Sequence, residues 1–482
     1  MPKPFYLTTT LPYVNADPHI GFALELVQAD IIARYHELLG EEVFFNTGTD
    51  EHGLKIYRNA LAAGKEPQAY VDEYAAKFRR LPEALGVSPD IHFIRTTDSK
   101  HKAAAQEFWK RCEQAGDIYK KQYKIKYCVG CELEKTDSEL VGGRCPIHPN
   151  LELELIEEEN YFFRFSKYQK LLLELYRDRP DFVVPASRFN EVKAFVERGL
   201  EDFSISRLKE KMPWGVPVPG DDTQVMYVWF DALVDYISTI DWPQDEASFN
   251  KWWVDTGGVV QFAGKDQVRQ QAAMWQAMLM SAGLLPSKQI VIHGFITSGG
   301  QKMSKSLGNV IDPFALVEEY GTDAVRYFLA GHINPFEDSD FTLERFKEAY
   351  NADLANGIGN LISRVMQLAS TYNVRIKEKS LPESASSLPG RLSKAIESFE
   401  IPLYVATVGL FISTIDEKIA QKKPFSVVKE DQEEGKKMIE ELLTDIYWVG
   451  KIVEPTMPDT SKKIFEALEE NKKPENLFPR KD

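Results

Sequence analysis

Along the chain, compact apolar runs of strand length alternate with stretches whose apolar residues recur at helical spacing, and in the last third only the helical spacing persists. Phe5-Tyr6-Leu7-Thr8-Thr9 predicts a buried strand. After a Pro/Asn/Asp/Pro turn, the run from Gly21 to Leu39 sets Leu24, Val27, Ile31 and Leu38 on one helical face, with Gly40 as the stop. Val43-Phe44-Phe45 predicts the next strand. A strand, a helix and a strand in that order predict a β-α-β unit, and open parallel sheets bind ligands beyond the carboxyl ends of their strands. The His19 loop and the Thr49-Asp50-Glu51-His52-Gly53 loop would both lie there. The pattern recurs downstream as Val259-Val260-Gln261-Phe262, a Gly264-Lys265-Asp266 turn, a helix from about Gln267 to Ala282 stopped by Gly283, and the strand Gln289-Ile290-Val291-Ile292. The sheet is therefore expected to be split by an insertion. Beyond about Arg345, residues Leu354, Ile358, Leu361, Val365 and Leu368 fall at helical spacing, as in an α-helical bundle. The expected divisions are 1–115 and 216–310 for the two halves of the sheet domain, 116–215 for the insertion, 311–345 for a linking segment and 346–482 for the bundle.

Length and charge narrow the possibilities. The 482 residues suffice for about three domains with a sizeable core. With 43% hydrophobic and 27% charged residues the chain is too apolar to be disordered. The start has only a short apolar stretch, and no segment approaches the roughly 18 apolar residues of a bilayer span, so the expectation is a cytoplasmic protein without membrane contact. A net charge of -15 excludes indiscriminate coating of nucleic acid, so any RNA contact must be local. Three of the four cysteines crowd together as Cys128-x2-Cys131 and Cys145-x2-His148, two pairs of soft or borderline ligands that suit a tetrahedral zinc ion. Four protein ligands leave no open position, which makes such a zinc structural. Cys112 is left over as a small buried apolar residue.

His19-Ile20-Gly21 stands where a strand hands over to a helix N-terminus, a place whose free N–H groups favour a phosphate. Gly21 permits close approach, and His19 can donate to a phosphate oxygen; a His that only caps the turn is the competing account. Lys302-Met303-Ser304-Lys305-Ser306 sets two ammonium groups three residues apart in a loop flanked by Gly299-Gly300 and Gly308, suited to clamping a triphosphate. Lysines that are merely solvated compete here. Taken together and in this order, the two segments resemble the signatures of class I aminoacyl-tRNA synthetases.

The resemblance narrows to the bacterial methionyl-tRNA synthetases with one zinc knuckle, through Leu11-Pro12-Tyr13, Gly48-Thr49-Asp50-Glu51-His52-Gly53, Tyr227-Val228-Trp229-Phe230-Asp231-Ala232, Asn360-Leu361-Ile362-Ser363-Arg364 and the cysteine knuckle, and so covers nearly the whole chain. It implies an α/β fold: a Rossmann-type parallel sheet split by a zinc-containing connective insertion, followed by an α-helical bundle that binds the anticodon. It implies that L-methionine is activated with Mg2+-ATP and transferred to tRNA(Met), with His19, Lys302 and Lys305 as catalytic residues. ATP would be held by His19, Gly21, Gly264, Asp266, His293, Lys302 and Lys305. Methionine would lie among Leu11, Tyr13, Trp229, Ala232 and Tyr236, its ammonium on Asp50, and the anticodon would meet Asn360, Arg364 and Phe425. The competing accounts are core packing for Trp229 and Tyr236, a helix cap for Asp266, a structural histidine for His293 and a merely solvated surface for the Asn360/Arg364 face, with Lys418, Lys422 and Lys423 adding charge nearby.

Departures from the family pattern are Phe22, where a second His is usual, Gln267 and Gln271, where an apolar residue and a His are common, and Phe425 following Pro424, where a Trp stacks. A monomer is expected. Two other readings stay open: a non-catalytic tRNA-binding or regulatory protein on the same scaffold, and a related class I synthetase for another apolar amino acid.

Overall fold

The computed structural model describes residues 2–135, 137–303 and 308–481. The chain forms two compact units, Met1–Asp17 with Gly40–Arg80 and Asp90–His293, and Pro18–Leu39 with Leu81–Pro89 and Gly294–Asp482. At the centre of the first lies a six-stranded sheet, in the order His92–Arg95, Glu42–Thr49, Pro4–Thr8, Val260–Gly264, Gln289–His293 and Val183–Val184. Every pairing in it is parallel. This is why its strands read as unbroken apolar runs, since a parallel sheet is covered on both faces. From the Pro4–Thr8/Val260–Gly264 pair, where Leu7 faces Val260, succession runs outward through Glu42–Thr49 to His92–Arg95 on one side and to Gln289–His293 on the other, where Val183–Val184, from the inserted residues, forms the edge. Strand order reverses at that pair, and its carboxyl ends are where such a sheet opens a ligand crevice.

Between the two sets of strands, the inserted residues add an antiparallel sheet of Leu133–Lys135, Ile118–Cys128, Glu154–Phe163 and Phe203–Ser204. The fold is thus a parallel α/β sheet split by a connective region, with a helical C-terminal region. Trp109, Trp253, Trp275, Phe108 and Phe230 are fully buried in the core of the first unit. Their rings meet edge-on or stacked, with Phe108 5.5 Å from Trp275 and Trp109 5.3 Å from Phe230. The expected helix from Gln267 onward forms, but as a short 3-10 turn, a π turn over Gln270–Met274 and an α segment over Trp275–Ser281.

The second unit is helical, with Gly359–Tyr372, Ile401–Lys422 and Gln432–Val453 as long members. Leu354, Ile358, Leu361 and Val365 are buried as their spacing predicts. The helix Ile20–Leu38 belongs to this unit by its contacts. Leu24, Val27 and Ile31 are buried in it, but Leu38, expected on the same face, is 42% exposed. Glu25, Gln28 and Asp30 are buried as well, so the helix is enclosed around its circumference rather than along one stripe. Among the described residues no helix is long and apolar enough to cross a membrane.

Candidate active site

In the first unit, the loops at the carboxyl ends of the strands converge. Tyr13 and Asp50 form an isolated parallel bridge, with the Asp50 amide donating to the Pro12 carbonyl at 2.9 Å and the Val14 amide to the Asp50 carbonyl at 3.2 Å. This pins the Leu11-Pro12-Tyr13 turn to the residue just past the strand Glu42–Thr49. Trp229 and Tyr13 pack against the same small apolar cluster of Tyr127, Tyr227 and Val228. Ala232 ends the helix Val228–Ala232, and Tyr236 is buried on the short helix that follows.

The polar groups here are unequally satisfied. Oδ1 of Asp50 is buried and has no hydrogen-bond partner. Burial drives the Asp50 carboxyl well above its ordinary range, and the Asp231 carboxylate adds to the push. Asp235 likewise has an unpartnered buried oxygen and a raised carboxyl, again chiefly through burial. For Asp231, burial is outweighed by the two imidazoles on it, and its carboxyl comes down to about 2. Those are His52, 2.5 Å away, and His101, 2.8 Å away, both buried. An unpaired buried polar group is costly and a paired charge is not, so the open oxygens of Asp50 and Asp235 are groups that a cation could answer. Sequence reasoning quoted His52 and Asp231 within the motifs but gave them no role, and it passed over His101, because positions 52, 101 and 231 share no local pattern. Glu51, in the same motif and likewise given no role, braces the loop by accepting from Arg95 at 2.7 and 2.9 Å and from Thr49 at 2.6 Å.

Gln271 is fully enclosed. Its amide donates to the Tyr236 hydroxyl at 2.8 Å and to Gln267 at 3.4 Å, and its oxygen accepts from Gln261 at 3.1 Å. At the second pair of strand ends Gly264 and His293 are register partners, with His293 6% exposed and Asp266 on the exposed turn beyond.

In the second unit, His19 caps the helix Ile20–Leu38, and its Nδ1 accepts from the Gly21 amide at 3.1 Å. A neutral ring bonded in this way carries its proton on Nε2, which makes that nitrogen the donor. A Cβ on residue 21 would stand 2.9 Å from the imidazole, so the ring position requires glycine there. Phe22 stacks on His19 with centroids 4.3 Å apart. The Ile20 amide donates to the Ile311 carbonyl at 3.1 Å, which brings the His19 turn to the segment just downstream of the Lys-rich loop. In that loop the backbone of Lys302 pairs with Thr297. Lys305 lies outside the described residues. On the helices, Asn360 and Arg364 are exposed, Arg364 pairs with Asp416, and Phe425 is 46% exposed.

Cys128, Cys131, Cys145 and His148 bring their ligand atoms within 4.8 Å of one another. The Cys131 sulfur is 3.5 Å from that of Cys145 and 3.2 Å from Nδ1 of His148. A tetrahedral zinc with sulfurs at ~2.3 Å separates its ligands by about 3.8 Å, so the residues fit a metal.

Residues 5–154 and 149–366 match the family of tRNA synthetases class I (M). The chain belongs to that family. Among curated members, the methionine--tRNA ligase of Nostoc sp. is 42% identical over 97% of this chain and 90% of its own length. That of Thermotoga maritima is 41% identical over 98% of this chain and 76% of its own. The solved methionyl-tRNA synthetase of Mycobacterium tuberculosis in complex with methionyl-adenylate is 34% identical, with a TM-score of 0.89 over 100% of this chain and 99% of that one. The His19 turn and Lys302 both lie in the second unit, and Asp50 lies in the first.

Proposed function

We propose that this chain activates L-methionine with ATP to give methionyl-adenylate and transfers the methionyl group to the 3′-terminal adenosine of tRNA(Met). The observation that carries this reading is the buried, unpartnered oxygen of Asp50, on a loop bridged to Tyr13. It suits the ammonium of an amino acid whose apolar side chain lies among Leu11, Tyr13, Trp229, Ala232 and Tyr236, because a thioether packs well on aromatic rings and a carboxylate fixes the amino end. The methionine carboxylate attacks the α-phosphorus and expels pyrophosphate; the terminal ribose hydroxyl of tRNA then attacks the adenylate carbonyl and releases AMP. No protein nucleophile takes part. His19, through Nε2–H, and Lys302 and Lys305 stabilise the charge that grows on the leaving phosphates. Gly21 lets the nucleotide approach, Gly264 and Asp266 receive the ribose, and His293 the adenine side. ATP enters with Mg2+, which offsets phosphate charge.

The Cys128, Cys131, Cys145 and His148 set holds structural zinc, which when bound cross-links the knuckle of the insertion. Asn360, Arg364 and Phe425 receive the anticodon. The protein acts as a cytoplasmic monomer. Methionine-dependent exchange of pyrophosphate into ATP, followed by charging of pooled tRNA with each of the twenty amino acids, tests the reading. Exchange and charging with methionine alone are expected. A folded, zinc-loaded protein that binds tRNA without exchanging pyrophosphate would instead be a non-catalytic tRNA binder, and preference for isoleucine or valine would make it a different class I synthetase.

A further inference from the structure

Within the first unit, the residue after the second knuckle cysteine is Glu132, 5% exposed and in a left-handed backbone conformation with φ +52°. Its carboxylate is surrounded by donors. Oε1 accepts from the Tyr13 hydroxyl at 3.1 Å and from the Lys55 amide at 2.6 Å. Oε2 accepts from the Tyr127 hydroxyl, and the Glu132 carbonyl accepts from the Tyr227 hydroxyl.

Two of these contacts reach the Asp50 pocket. Lys55 is in the first turn of the helix Leu54–Ala62, whose cap residue Gly53 has no side chain to offer, so Glu132 supplies the missing acceptor and a negative charge at the positive end of the helix. Tyr13 is the bridge partner of Asp50, and its phenol is kept protonated by burial and by the Glu132 and Asp50 carboxylates, so it remains a donor. The fit is close. A Cβ on Gly53 would stand 2.5 Å from the Tyr13 oxygen and 3.3 Å from Oε1 of Glu132, and Gly53 itself has φ +111°.

We propose that Glu132 is a positioning residue for the amino-acid subsite: seated by the metal-binding turn Cys128-x2-Cys131, its carboxylate fixes the Tyr13 ring and the start of the helix after Asp50, so that metal occupancy and methionine affinity are coupled through one side chain. This rests on the reading that Tyr13 and Asp50 line the methionine subsite. An empty knuckle frees the Cys128–Cys131 turn, Glu132 leaves its place, and both Tyr13 and the Lys55 amide lose their acceptor.

The test uses the full chain loaded with zinc. Glu132→Ala is expected to raise the KM for methionine about tenfold in pyrophosphate exchange, as befits the loss of charge-assisted hydrogen bonds behind the subsite, while the KM for ATP and the zinc content stay those of the parent. Glu132→Gln keeps one oxygen for both Tyr13 and Lys55 and turns its N–H toward the Tyr127 oxygen, so it should bring the methionine KM back to within about threefold of the parent. Hydrogen–deuterium exchange gives a readout apart from activity: chelating the zinc should speed exchange over residues 50–62 as well as 128–148, and Glu132→Ala should do so over 50–62 with zinc retained. The chelation arm needs no variant and stands even where Glu132→Ala fails to fold. A methionine KM unmoved by Glu132→Ala, or chelation that loosens 128–148 alone, overturns the proposal. Tyr13→Ala separates the two readings. If it too leaves the methionine KM unmoved, the placing of Tyr13 in the subsite fails, whereas a raised KM in Tyr13→Ala beside an unmoved one in Glu132→Ala sinks only the link through Glu132.

Discussion

Asp50, the proposed holder of the substrate ammonium, is a residue that the free fold tolerates at a cost. Its carboxyl is raised by burial and then by Asp231, so the folded state holds a proton there more tightly than the unfolded chain does. The stability associated with that proton is complete below the ordinary carboxylate pKa of about 3.9 and is lost as pH rises through the higher folded value. Asp50→Asn is therefore expected to stabilise the protein at neutral pH by about 1 kcal/mol, seen as a higher Tm, with the gain vanishing below about pH 4. The same substitution should raise the KM for methionine by about 10²-fold, since a charge-assisted contact to the ammonium is lost. A fall in Tm at pH 7 together with an unchanged KM would show that Asp50 serves the fold and not the ligand. Phe22, a departure from the family pattern, stacks on His19 and so braces its imidazole. Tyr13, Asp50 and His19 stood out in the sequence because they sit in turns between strongly patterned elements. The roles of Glu132 and Asp231 did not, because their partners are Tyr13, Lys55, His52 and His101, at positions far away along the chain. No local pattern records a contact of that kind.

Among the elements, the strands were legible because a doubly covered parallel sheet needs unbroken apolar runs. The helix Ile20–Leu38 was legible in extent but not in surroundings. Spacing predicted a single buried stripe, whereas Asp30 on another face is fully buried, 2.6 Å from the equally buried Arg326 and 2.8 Å from Arg34. Arg326 also donates to the carbonyls of Leu85, Pro455 and Thr456 at 3.0, 2.7 and 3.0 Å, so within the second unit one side chain ties the helix Ile20–Leu38 to two other stretches of chain, at Leu85 and at Pro455-Thr456. The π turn at Gln270–Met274 escaped prediction for a related reason: an extra residue in a helical turn leaves the apolar spacing almost unchanged. For Asp30, burial alone would raise the carboxyl, and Arg326 with Arg34 outweighs it and brings it below the usual range. Stability from this pair is thus present above the ordinary carboxylate pKa and is lost as pH falls through the lower folded value. Arg326→Met leaves Asp30 buried with only Arg34 and the Ser88 amide as partners, and is expected to cost about 3–5 kcal/mol at pH 7 in denaturant unfolding. Adding Asp30→Leu should recover much of that loss, because removing both charges is far less costly than stranding one. Equal losses in the single and double variants would refute the pairing argument.

For the whole molecule the governing fact is a net charge of -15 in a chain whose proposed substrate is a polyanion. Counterion release cannot drive such binding broadly, so recognition has to be concentrated on a few side chains. The helical unit narrows the choice further. Lys418 is bonded to Asp445 at 2.8 Å and Lys422 to Glu441 at 3.1 Å, so their charges are answered within the protein. Asn360, Arg364 and Phe425 are exposed groups able to hydrogen-bond or stack with unpaired bases. Arg364 is held by Asp416, but both partners are more than 40% exposed, and such a pair contributes at most about 1 kcal/mol. Arg364→Ala and Phe425→Ala should therefore leave Tm nearly unchanged, and a stacked base lost with Phe425 is worth about 1–3 kcal/mol. Each variant is expected to raise the KM for tRNA(Met) about tenfold or more in aminoacylation, while methionine-dependent pyrophosphate exchange without tRNA stays at the parent rate. That separation is the point of the measurement, because a helical surface that only supported the fold would lower both reactions together, and one that played no part in recognition would lower neither.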